Sequence, residues 1–277
     1  MTLALEAIAR LIRSTAQAEI VPRFRALTAD DIREKRPGDL VTVADVEAER
    51  ALIRGLEALA PGSVALGEEG VFADPSRLDL MAGNAPVWII DPVDGTTNLV
   101  HGLPHVAISV GLYDSGSAAL GVVHNPVTDT SYFAAAGDGS YVRIGLDSSG
   151  DRRLQVSDIA TLDGALASFG LPYDRSLTEP IFRTLAAVFS RSQDLRRSGS
   201  AALDLAILAR GNLDVHVEAT VRPWDCAAGG LILEEAGGVV TDWNGDGIRW
   251  LDHIPGCSLL ASNGYLHEEL LAVVQSA

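Results

Sequence analysis

The chain is short of the residues that mark several common kinds of protein. It has two cysteines, Cys226 and Cys257, in unrelated contexts. With no Cys-x-x-Cys pattern and no Cys/His cluster, a zinc site built on thiolates is not expected. Cys257 sits in the apolar run 257–261 and reads as core. Lysine occurs once, as Lys35, and aromatic residues make up only 5% of the chain, so alanine and leucine must fill its interior. Positive charge is scarce: 21 basic residues face 37 acidic ones, for a net charge of −16. Such a surface repels nucleic-acid phosphates and anionic lipid, so neither is expected as a primary partner. It also repels phosphorylated small molecules, and phosphate chemistry on this chain would need a local positive supply such as metal ions. No apolar run approaches the roughly 20 residues that span a bilayer. The stretch Met1-Thr2-Leu3-Ala4-Leu5-Glu6 has neither a basic segment nor a long apolar one, so the cytoplasm is the expected location.

What is present suits a globular protein. The 277 residues are 47% hydrophobic with a mean hydropathy of +0.19, enough for one large domain or two closely packed halves. Residues 1–160 read as an N-terminal α+β half. It holds an amphipathic helix over 3–21 that Pro22 ends or kinks, a charged loop or ribbon over 29–38, and a helix over 42–60. A short strand over 63–67 follows, then a polar loop through 86 and a strand from Trp88. An antiparallel meander covers 106–113, 118–124 and 130–136, with further strands over 141–144 and 153–156. Residues 161–277 alternate instead, with strands over 165–170, 194–197, 213–218, 238–241 and 258–261 and helices over 178–190, 200–210, 225–236 and 264–275. That alternation signals α/β layering. The two halves are expected to share an interface, to act as a single domain, and to place the site between them.

The chemistry centres on Trp88-Ile89-Ile90-Asp91-Pro92-Val93-Asp94-Gly95-Thr96-Thr97-Asn98. A buried strand runs into a turn with two carboxylates, which repel each other unless a cation lies between them. Oxygen ligands at a strand end suit Mg²⁺. If a helix starts at Gly95, its free N–H groups make an anion site facing the same space. Taken alone, Asp-Pro and Asp-Gly are ordinary turn pairs, and Thr96 and Thr97 are ordinary caps. Glu68 and Glu69 end a strand upstream, where exposed loop glutamates are the plain reading. Asp225, in Pro223-Trp224-Asp225-Cys226, starts a helix and reads equally well as an N-cap. Asp45 has capping-box spacing from Thr42.

Together these stretches resemble the inositol monophosphatase family. The two signatures are 91–98 and 224–229, the latter followed by Glu234-Glu235-Ala236-Gly237-Gly238. Gly67-Glu68-Glu69-Gly70, residues 39–45 and residues 197–203 match in the same order and spacing, so the resemblance covers nearly the whole chain. It implies a layered αβαβα sandwich of the inositol monophosphatase/fructose-1,6-bisphosphatase type, and a homodimer. It also implies two Mg²⁺ ions, with a third held more loosely near Glu68 through water. Glu68, Asp91 and the Val93 carbonyl would bind the first ion, and Asp91, Asp94 and Asp225 the second. Asp45 and Thr96, with Glu68, would handle the attacking water. The Gly95 and Thr96 amides would hold the phosphate, and Gly199, Ser200, Ala201 and Glu218 would contact the alcohol, beside Asp94 and Asp225. Gly70 stands where many members carry serine, and Lys35 is not aligned with the family's loop lysine because the loop length differs. The implied activity is hydrolysis of inositol 1-phosphate or a similar small polyol phosphate by a metal-activated water. The alternatives are histidinol phosphate, fructose 1,6-bisphosphate or 3′-phosphoadenosine substrates, and a non-catalytic role as a binding partner. Gly199-Ser200 and Trp224 favour the inositol side over histidinol phosphate.

Overall fold

The computed structural model of the protein describes residues 3–248 and 256–277. Leu3–Thr15 forms helix α1, which carries leucine and isoleucine on one face. The predicted continuation to 21 differs in kind: Ala16–Ile20 is a π-helical turn and Val21–Arg23 a 3₁₀ turn holding Pro22. A proline tolerates a first-turn position, where its missing N–H is not needed. The charged ribbon is a hairpin of β1 (Ile32–Arg36) and β2 (Asp39–Thr42). Helix α2 (Val43–Leu59) follows, then β3 (Val64–Gly67) and the short helix α3 (Glu68–Ala73). The loop expected through 86 is instead this helix plus a 3₁₀ segment, Pro75–Ala82. Asp74 starts that segment by accepting from the Ser76 amide.

Strand β4 (Val87–Asp94) enters the acidic turn, and α4 (Thr96–His101) leaves it. The meander is β5 (Ala107–Asp114), β6 (Ser117–Asn125), β7 (Thr130–Ala135) and β8 (Gly139–Ile144). The strand expected over 153–156 shrinks to the two-residue β9 (Arg152–Arg153). These strands make a seven-stranded sheet in sequence order from β3 to β9, parallel only between β3 and β4. The second sheet is β11-β10-β12-β14-β13, where β10 is Leu166–Phe169, β11 Asp194–Arg196, β12 Val215–Val221, β13 Val239–Thr241 and β14 Cys257–Ser262. Strands β10, β11 and β12 are parallel, and β14 runs antiparallel to β12 and β13. Helices α5 (Thr178–Phe189), α6 (Ala201–Ala209), α7 (Pro223–Glu235) and α8 (His267–Ser276) complete the chain.

Three apolar clusters give the layering. Ile12, Leu52 and Leu56 bury one face of the large sheet against Trp88, Ile90 and Phe133. Its other face, with Leu66 and Ile89, meets Leu205, Ile232 and Leu233 of α6 and α7, which also cover Leu259 of the second sheet. Val215 and Leu260 on that sheet's outer face pack on Val188 of α5 and Leu270 of α8. The order α1/α2, sheet, α6/α7, sheet, α5/α8 is an αβαβα sandwich. Helix α7 is apolar along most of its length because a sheet covers it on either side and α6 lies beside it. Small residues let it approach closely: a Cβ on Gly121 would lie 2.8 Å from the Ala228 carbonyl. No helix among the described residues is long and apolar enough to cross a membrane.

Candidate active site

A bulge shapes the acidic turn. Asp91 pairs with Ser109 of β5 and Asp94 with Ala107, so three steps on β4 match two on its neighbour. Pro92, which has no N–H to donate, occupies the irregularity. Residues three apart on a regular strand point to opposite faces, and the bulge resets that alternation. Both carboxylates therefore enter one cleft of about 1040 Å³ between the two sheets. Gly95 closes the turn at φ 95°, and a Cβ there would lie 2.9 Å from the His105 carbonyl. Asn98 then ties the turn to the second half, donating from Nδ2 to the carbonyls of His105 (2.7 Å) and Ser198 (2.8 Å).

The cleft receives the other expected residues from separate elements. Glu68 comes from the start of α3, Asp225 from the first turn of α7, and Glu218 from β12. Gly199, Ser200 and Ala201 line it at the start of α6. Each acid has its own donors. Asp91 Oδ1 accepts from the Val93 amide at 2.9 Å, and Asp225 Oδ2 from the Arg222 amide at 2.7 Å. Asp94 Oδ2 accepts from Ser200 Oγ (2.6 Å) and the Ala202 amide (2.7 Å). Glu68 Oε1 accepts from Lys35 Nζ at 2.6 Å.

Negative charge dominates the electrostatics. Burial pushes the Asp91 carboxyl up, and the charges of Glu68, Asp94 and Asp225 push it further. Burial likewise raises Asp225, helped by Asp94 and Glu68. Asp94 is pushed up to about 7, first by burial, against the hydrogen bonds from Ser200 and Ala202. Among the described residues, no cationic side chain pairs with Asp91, Asp94 or Asp225. Nor are three His, Cys, Asp or Glu side chains assembled there as a ready coordination group. Asp91, Asp94 and Asp225 are desolvated oxygen donors without a cationic partner, which is the chemistry of a hard divalent cation, while Glu68 beside them is paired with Lys35. A cation bound among these acids would compete with the hydrogen bonds that Ser200, Ala202 and Lys35 now make to Asp94 and Glu68.

Asp45 does two things at once. It closes a capping box on α2, accepting at Oδ2 from the Thr42 amide and hydroxyl. Its Oδ1 accepts from Thr96 Oγ1 at 2.8 Å, and the Thr96 hydroxyl also lies 3.0 Å from the Val93 carbonyl. Burial raises Asp45 to about 6, against the hydrogen bonds from Thr42 and Thr96.

Several residues in and behind the cleft escaped sequence reasoning. Lys35 reaches in from β1 to Glu68 and Glu69 (2.9 Å), and their charges raise its pKa against its burial. Glu49 on α2 accepts from the Glu69 and Gly70 amides at 2.8 Å each, so it caps the start of α3, from which Glu68 enters the cleft. Tyr173 stands at the mouth with Arg36 5.1 Å over its ring. The lone lysine inside a charged ribbon was the one available signal.

This architecture belongs to a known class of folds. The solved structure of the extragenic suppressor protein SuhB from Bartonella henselae is similar over 100% of both chains, with a TM-score of 0.84 and 28% identity. The sequence then narrows the class. The inositol monophosphatase family profile matches residues 3–277. The fructose-1,6-bisphosphatase/inositol-1-monophosphatase of Thermotoga maritima is 35% identical over 243 residues, which are 87% of this chain and 85% of that one. The Nus factor SuhB of Xylella fastidiosa is 33% identical over 247 residues, covering 88% and 84%. The chain belongs to the inositol monophosphatase family, a family of metal-dependent phosphatases of small phosphate esters.

Proposed function

We propose that this chain is a Mg²⁺-dependent phosphomonoester hydrolase acting on inositol 1-phosphate or a similar small polyol phosphate. The observation that carries this reading is Asp91, 2% exposed at the end of β4, facing the charges of Glu68, Asp94 and Asp225 with no cationic partner among the described residues. Glu68, Asp91, the Val93 carbonyl, Asp94 and Asp225 would hold two Mg²⁺ ions. When bound, Mg²⁺ neutralises the phosphate, acidifies water and stabilises the leaving alkoxide. The protein's own groups do the rest. Thr96 Oγ1 orients the attacking water and passes its proton toward Asp45, to which it already donates. The Gly95 and Thr96 amides, at the start of α4, hold the phosphate. Ser200 fixes the Asp94 carboxylate while Gly199, Ala201 and Glu218 meet the alcohol. No side chain needs to form a covalent intermediate. We place the enzyme in the cytoplasm as a homodimer.

The test is phosphate release, with and without Mg²⁺, from inositol 1-phosphate, histidinol phosphate, fructose 1,6-bisphosphate and adenosine 3′,5′-bisphosphate. Release from inositol 1-phosphate that stops on chelation is expected. Release from none of the four would sink the reading. A second reading is a binding role beside catalysis, favoured by the name Nus factor carried by the Xylella relative.

A further inference from the structure

His216 belongs to none of the motifs that mark the cleft. It lies on β12 two residues before Glu218, so both side chains leave the strand on one face. It is 1% exposed. Its Nδ1 is 2.8 Å from Ser168 Oγ on β10 and 3.6 Å from Asp204 Oδ2 on α6. Its Nε2 is 3.3 Å from Glu218 Oε2. Asp204 in turn accepts from His105 Nε2 at 3.0 Å and from the Ser198 hydroxyl.

These partners decide where the proton sits. A serine hydroxyl can donate to a bare Nδ1 or accept from a protonated one, whereas an ionised carboxylate only accepts. Asp204 Oδ2, at 3.6 Å, lies beyond hydrogen-bond reach of Nδ1, so among the described residues Glu218 is the one carboxylate bonded to the ring and a proton belongs on Nε2, facing it, whether the imidazole is neutral or cationic. Ser168 is fully buried, so no substrate reaches it and the Ser168-His216-Glu218 row is not a nucleophilic triad. The carboxylate of Glu218 is also confined from the side: a Cβ on Gly170 would fall 2.0 Å from Glu218 Cδ. Glu218 Oε1 makes no hydrogen bond among the described residues, and Glu218 lines the cleft.

We infer that His216 is a positioning residue that holds Glu218 as a fixed hydroxyl acceptor, so that the cleft selects phosphate esters whose alcohol carries hydroxyl groups. The inference rests on the phosphatase reading, in which Glu218 meets the alcohol. The interaction at stake is a hydrogen bond to a charged group, worth about tenfold or more in affinity. The His216→Phe variant should therefore raise KM for inositol 1-phosphate about tenfold and lower kcat by less than about threefold. With 4-nitrophenyl phosphate, whose alcohol part has no free hydroxyl, KM should move by less than about twofold. His216→Gln, which keeps an N–H donor, should recover most of the loss. Nitrogen-15 shifts of the imidazole should show the proton on Nε2 and should move in Glu218→Gln.

Equal losses on both esters would make His216 merely structural and overturn the inference, as would an unchanged KM or a proton on Nδ1 alone. If the wild type hydrolyses neither ester, the phosphatase reading falls and this inference falls with it. If the wild type hydrolyses both and His216→Phe leaves their KM ratio unchanged, only the role of His216 falls.

Discussion

Two groups of acids in this molecule live in opposite surroundings. On the outer layer, Asp129, Asp151 and Glu6 each meet an arginine. Asp129 accepts from Arg13 Nε at 2.7 Å and Nη2 at 2.6 Å, and Arg143 bonds Asp151 at 2.7 and 2.8 Å and Glu6 at 2.9 Å. The Arg13 hydrogen bond is the main reason that the Asp129 carboxyl is lowered. Glu6 is lowered too, because Arg10 and Arg143 outweigh its burial. In the cleft, Asp91, Asp94 and Asp225 are more buried yet face one another, and all three are raised. A protein with few cations has placed arginines on its shell and left three desolvated acids of the cleft without a cationic partner among the described residues. Uncompensated buried charge costs stability, so it persists where function uses it.

The sharpest break in that contrast is Asp91→Asn. Activity toward any phosphate ester should fall by roughly a thousandfold or more, since metal-assisted chemistry loses a ligand. The metal-free protein should unfold at a temperature several degrees higher, because a repelled charge is gone. Retained activity would show the ligand assignment to be wrong. Thr96→Val should cost about a hundredfold in kcat, the ordinary worth of lost proton handling, with little change in KM. A loss confined to KM would place Thr96 in binding alone. In the outer layer, Arg13→Ala should do the reverse. It should lower stability to urea by about 1–2 kcal/mol and leave kcat within about twofold. A large fall in kcat would mean that the two regions are coupled.

The smallest effect is a pH slope. Asp129 has a lowered folded pKa, so its contribution is present above the unfolded value of about 3.9 and is lost as pH falls through the folded one. Asp94 is raised to about 7, so between roughly pH 4 and 7 the folded state holds a proton that the unfolded state has released. Metal-free protein should therefore lose stability as pH rises across that window. Urea unfolding in chelator at about pH 5 and pH 8 reads the sign, and a rising stability would contradict it.

Much of this was legible in one dimension because the decisive acids cluster in short motifs. The end of β4, the Glu68 pair and the start of α7 each announce a carboxylate at an element boundary, and periodicity separates the meander from the α/β half. What stayed hidden depends on pairing across the fold. Lys35 reaches Glu68 only because the β1–β2 hairpin folds over α3, and a ribbon's register is invisible without its partner. Glu49 looks like one more polar residue on α2 until α3 presents its unsatisfied amides. His216 alternates with apolar valines on β12, where its inward face cannot be told from an ordinary strand position. In sequence, Asp45 fits either a cap or a partner of Thr96. It is both, because a carboxylate has two oxygens.

The most direct measurement is calorimetric titration of the chelator-stripped protein with Mg²⁺, at a pH of about 7.5 and alongside Asp91→Asn. Two or more ions should bind the wild type, with proton release as the raised carboxyls ionise, and the variant should lose that binding. Absence of Mg²⁺ binding to the wild type, or equal binding by the variant, would contradict the claim that the uncompensated acids of the cleft form a cation site.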